Sequence, residues 1–63
     1  MNSDKDTLQS AYADALKGLY TTLLTAYANS AGDAEQQKEA DQRFVVGVGV
    51  ARSARDKAIA LLP

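Results

Sequence analysis

Residues 44–50 read Phe44-Val45-Val46-Gly47-Val48-Gly49-Val50, and whether this stretch is strand or helix decides the fold. Its second half alternates valine with glycine, and valine favours strands. A lone strand must find a partner, and no other segment has strand character, so the β reading needs pairing between chains. The flanking sequence carries a helical period instead. Ala40, Phe44, Val48, Ala51, Ala58 and Leu62 recur at helical steps, with Gly47 and Ala54 on the same flank and Ile59 beside it. As helix, the stretch sends Val46 and Val50 away from Phe44. That level is then apolar all round, as in a helix covered on several sides.

Upstream of this helix the turn formers cluster once, at Asn29-Ser30-Ala31-Gly32-Asp33. Gly32 suits the left-handed residue that ends a helix, and Asp33 with Gln36 offers a capping pair for the next. The chain thus divides into a helix over about 4–30, a turn at about 31–33 and a helix over about 34–62, in one hairpin domain. On the first helix Tyr12, Leu16, Leu19, Leu23, Ala26 and Ser30 advance by alternating fours and threes, with Leu8, Tyr20, Leu24 and Tyr27 beside them. The apolar arc spans roughly 220°, about twice what one neighbour covers. From Asp33 to Arg43 there are four acids and two bases, and from Arg52 to Lys57 three bases and one acid, the order that the helix dipole favours. A short turn makes the helices antiparallel, pairing residues whose numbers add to about 64. Tyr20 is then expected near Phe44, Leu16 beside Val48, and Gly18 near Val46 and Gly47.

With 63 residues the chain buries only about 60% of its unfolded surface. Small domains supplement such a core with disulfides, metals or association, and the sequence has no cysteine and no histidine. Association is the route left. The expectation is an all-α antiparallel two-helix hairpin that dimerises into a four-helix bundle, using Tyr20, Leu24, Tyr27, Phe44, Val46, Gly47, Val48 and Val50 as the self-association surface. A net charge of -1 gives no global field toward nucleic acid or membrane. The start, Met1-Asn2-Ser3-Asp4-Lys5-Asp6, is acidic and polar where a secretory signal is basic and then apolar, and the apolar run from Phe44 to Ala51 is too short to span a bilayer. A cytoplasmic location with no transmembrane segment is expected.

Little in the sequence points to catalysis. Tyr12, Tyr20 and Tyr27 lack a histidine to activate them, and no nucleophile elbow or phosphate loop is present. Glu35, Glu39, Asp41 and Asp14 suggest a carboxylate metal site only weakly, because core di-metal bundles also use histidine. Asp4 and Asp6 fit helix capping better than a calcium loop. No enzyme activity, no catalytic residue, no metal and no cofactor are expected.

Arg52, Arg55 and Lys57 form the only basic cluster and the candidate partner-binding patch. Arg55 projects close to the Phe44 line, so it should pair with an acid such as Asp6 or emerge where the bundle frays. The reading that fits best is a homo-oligomeric protein-interaction, adaptor or regulatory module. One alternative is a small dimeric RNA- or DNA-binding regulator using the basic patch. The layout resembles the plasmid copy-control RNA-binding hairpins in architecture alone, with no shared motif. Another alternative is a binder of apolar ligands or lipid at the valine-rich level.

Overall fold

The computed structural model describes residues 3–63; Met1 and Asn2, which open the polar amino-terminal stretch, lie outside the described residues. Two helices, α1 (Asp4–Ser30) and α2 (Ala34–Ala60), pack against each other as a hairpin. The stretch from Phe44 to Val50 is helical and lies within α2. A helix satisfies its backbone locally, so this segment needs no second strand.

Both helices begin on side-chain caps. Ser3 is extended, its hydroxyl accepts from the Asp6 N–H at 3.2 Å, and the Asp6 carboxylate accepts from the Ser3 N–H at 3.5 Å. Asp4 and Asp6 thus sit at the positive end of the helix dipole. At the start of α2 the Asp33 carboxylate accepts from the N–H groups of Glu35 at 2.9 Å and Gln36 at 3.3 Å. Asp33 does this without a return bond from the Gln36 side chain among the described residues. Between the helices the backbone turns left-handed twice, at Ala31 with φ 52° as well as at Gly32 with φ 84°. The sequence reading reserved this conformation for Gly32. Ser30 stays helical, so the first reversed residue is an alanine, at a cost of about 1 kcal/mol relative to glycine. α2 ends at Ala60 rather than Leu62, because Pro63 disfavours helical geometry at the residue before it. The Leu61 and Leu62 N–H groups close the last turn onto carbonyls three or four residues back.

The contact line matches the sequence period. Leu8, Tyr12, Leu16, Leu19, Leu23 and Ala26 of α1 are half-buried, as are Phe44, Gly47, Val48, Ala51, Arg55, Ala58 and Ile59 of α2 and Leu62 just beyond it. Ala54, expected on this line, is exposed. The register differs from the expected one. Gly47 faces Leu19, Tyr27 bonds Asp41, and Arg55 lies over Tyr12, so facing residues add to about 67 rather than 64. The cause is that each Cα–Cβ bond tilts toward its own helix N-terminus, which displaces side-chain contacts from backbone levels. Gly18 therefore takes no part in a close approach: a Cβ there meets nothing within 4 Å. At Gly47 a Cβ would lie 2.6 Å from Leu19 Cδ2.

The hairpin is a slab, with Cα extents of 47 × 19 × 7 Å. Among the described residues Ala40 is the one buried hydrophobic, and no large side chain is fully buried. Ser30 is buried too, its hydroxyl donating to the Tyr27 carbonyl at 2.8 Å and accepting from Gln37 Nε2 at 3.4 Å. The driest point of the molecule is thus beside the turn.

The two glycines make a test of this packing. Gly18→Ala should raise stability by about 1 kcal/mol, the helix-propensity gain, because its surroundings are open. Gly47→Ala should gain distinctly less, since Leu19 must swing aside. Thermal melts of the two variants, followed by circular dichroism, check the order; an equal or larger gain at Gly47 would contradict the close contact with Leu19.

Candidate functional site

The hairpin leaves large apolar side chains in water. Tyr20 is 58% exposed, Leu24 54%, Val45 68%, Val46 65% and Val50 64%. Isolated surface leucines need no explanation, but a contiguous set marks a contact surface.

Helical geometry sorts these residues onto two sides of the slab. At about 100° per residue, Tyr20, Leu24 and Tyr27 occupy one flank of α1. The Tyr27 hydroxyl donates to Asp41 Oδ1, which brings this flank to the same side as Asp41 on α2. Val45 is one turn beyond Asp41, with Arg52 two turns further. This broad face therefore carries Tyr20, Leu24, Tyr27 and Val45, with Lys38, Asp41, Arg52 and Asp56 among its polar members. The opposite side holds a groove lined by Leu19, Thr22, Leu23, Ala26, Ala40, Arg43 and Phe44. Val46 adjoins Arg43 and Gly47 along the outer surface of α2, and Val50 follows one turn later.

The residues expected to form one self-association surface are thus distributed three ways. Tyr20, Leu24 and Tyr27 share the broad face. Val46 and Val50 project from the far flank of α2. Phe44, Gly47 and Val48 are half-buried in the contact between the hairpin's own helices. Val45 was not among the expected residues, although it is among the most exposed apolar side chains. Its signal in the sequence was the unbroken Val45-Val46 pair, whose side chains leave the α2 axis about 100° apart and so spread the apolar surface around it.

The basic cluster is divided as well. Arg55 donates through Nε at 3.0 Å and Nη2 at 2.9 Å to Asp56 Oδ1, and its guanidinium carbon lies 4.3 Å from the Tyr12 ring centroid. Of the acids open to the cluster, Asp56 rather than Asp6 pairs with Arg55, and an aromatic face completes its surroundings. Stacking on Tyr12 resolves how a cation sits on the contact line: the stem is covered and the charge meets π electrons and a carboxylate. Arg52 and Lys57 are exposed but lie on opposite flanks of α2, five residues or about 140° apart.

Carboxylates serve local roles. Glu39 pairs with Arg43 at 3.5 Å and Asp14 with Lys17 at 3.9 Å, both pairs exposed and worth little. Among the described residues no three carboxylates gather where they could hold a metal ion, and no helix is long and apolar enough to cross a membrane. In comparisons with known proteins, no family model, no curated protein and no solved structure matches the chain.

The Tyr27–Asp41 contact raises the Tyr27 pKa above its ordinary value of 10.0, first because the hydrogen bond holds the phenolic proton, then through desolvation and the Asp41 charge. A raised folded-state value means that the contact stabilises the fold below pH 10 and that this support is lost as pH rises through the folded pKa. Asp41→Asn should bring Tyr27 ionisation back toward the ordinary value. Ultraviolet titration of the phenolate in a chain where Tyr12 and Tyr20 are phenylalanine reads this directly, and an unchanged titration would show that Asp41 does not hold the proton.

Proposed function

We propose that this chain is a non-enzymatic interaction module that works as a homodimer, two hairpins closing into a four-helix bundle. The observation that carries the reading is the broad face with Tyr20, Leu24, Tyr27 and Val45 in water on a slab that fully buries no large side chain among the described residues. A specific interface takes about 800 Å² per partner. A slab face of 47 by 19 Å offers an area of that order, and covering it would remove about one sixth of the chain's 4847 Å² of accessible surface. The bundle arrangement stacks one broad face on the other and gives both hairpins the interior that each lacks.

Val46 and Val50 then stay on the outer flank of α2, beside the groove that includes Arg43. This outer surface is where the dimer, as an adaptor or regulator in the cytoplasm, meets another protein. The absence of catalysis is supported by chemistry at the most engaged hydroxyl. Tyr27 holds its proton more tightly than usual, opposite to what a nucleophile or base requires. Nucleic-acid binding has less support, because Arg55 is engaged by Asp56 and Tyr12 while Arg52 and Lys57 face different ways.

Placing a charge on the broad face tests the reading. Tyr20→Lys and Leu24→Lys should each weaken self-association by roughly 30-fold or more, as expected for a central apolar anchor. Thr21→Lys, whose position is exposed on the polar back of α1, should leave it unchanged. Sedimentation equilibrium across a concentration series supplies the comparison. Three variants that associate as the unaltered chain does would remove this face from the function.

A further inference from the structure

We infer that the dimer sets α2 of one chain antiparallel to α2 of the second copy, with Asp41 of each chain clasping Arg52 of the other across a two-fold axis. The inference rests on the homodimer reading and specifies how the broad faces meet.

Asp41 and Arg52 are of opposite sign and share that face with Lys38 and Asp56, of which Asp56 is held by Arg55 of its own chain. Asp41 uses Oδ1 to accept from the Tyr27 hydroxyl and makes no ion pair among the described residues. Arg52 is exposed, and among the described residues its side chain makes no hydrogen bond or ion pair. Eleven residues separate the two, so one α2 cannot bring them together: along a helix they are about 16 Å apart. A second α2 running the other way brings each acid to the other chain's base. Carboxylate and guanidinium also suit each other, since arginine's fork meets a carboxylate through two N–H groups.

Register supplies an independent check. Placing Asp41 level with Arg52 of the second copy places Val45 level with Val48 and sets the axis between Val46 and Gly47. Through the hairpin's own register that level corresponds to about Tyr20 on α1. The ion pairs and the most exposed apolar groups are therefore satisfied by one arrangement. Two Tyr20 rings meet near the axis, and Leu24 and Tyr27 flank them.

The charge order of α2 selects the direction. Before residue 44, Glu35, Glu39 and Asp41 outnumber Lys38 and Arg43, while after residue 50, Arg52, Arg55 and Lys57 outnumber Asp56. Parallel α2 helices would set like against like; antiparallel ones set the acidic end against the basic end. The alternative of α2 against α1 of the second copy gives Asp41 no arginine to meet, because α1 contains none and its Lys17 is beside Asp14.

A charge swap tests the clasp, made on a Tyr27→Phe background so that loss of the Tyr27 bond is common to every chain compared. Asp41→Arg and Arg52→Asp should each weaken association roughly tenfold, since each places like charges at both symmetry-related contacts. The double swap should return the dissociation constant to within about threefold of the background, and raising the salt should narrow all these differences. If the background chain dimerises but the single swaps have no effect, or the double swap fails to restore binding, the clasp is wrong and the dimer reading survives. A chain that stays monomeric at every concentration overturns both.

Discussion

Two helices in one layer have no inside. Each can press a single stripe against the other, and whatever apolar surface lies beyond that stripe stays wet. In this chain the stripe is made of residues that are covered only in part, from Leu8 to Ala26 on α1 and from Phe44 on α2 to Leu62 just past its end, and Ala40 alone among the hydrophobics described is dry. At about 25 cal/mol per Å² of apolar surface removed from water, such a contact is a weak counterweight to the ordering of two long helices. The exposed valines, leucine and tyrosines follow from that geometry. So does the inference that the chain shelters them by association.

Much of the remaining sequence keeps the hairpin in shape while leaving its broad face free. Ser3, Asp6 and Asp33 hold the helix starts, and Ser30 with Gln37 fills the polar point beside the turn. Tyr27 and Asp41 tie the two helices on the same side as Tyr20 and Val45. Arg55 shows how a cation is accommodated on an apolar line, with Tyr12 beneath it and Asp56 beside it. These groups are polar and specific, and none of them needs a cofactor to explain it.

Periodicity made most of this fold legible. The α1 line of Tyr12, Leu16, Leu19, Leu23 and Ala26 is the line that is half-buried, and the turn at Ala31 to Asp33 lies where the turn formers cluster. The register was less accessible, because counting from the turn aligns backbones whereas contacts are made by side chains that lean toward their helix starts. That lean is why Leu19, not Gly18, meets Gly47. Which residues share a side of the slab was harder still. Arg52, Arg55 and Lys57 are close in sequence and diverge around the helix, while Val45 and Val46 are adjacent and differ by about 100° in direction. A pattern that is apolar all round tells how much surface is wet without telling which part belongs to which partner; the Tyr27–Asp41 bond is what orients it.

Concentration decides whether the shelter comes from a second copy. Helix content measured by circular dichroism through thermal unfolding, repeated over several hundredfold in protein concentration, probes association and folding together. The account predicts a midpoint that climbs with concentration and helices that are largely lost on dilution. A reversible melt at one temperature throughout, from a chain that stays helical when dilute, would mean that a lone layer is stable and would contradict it.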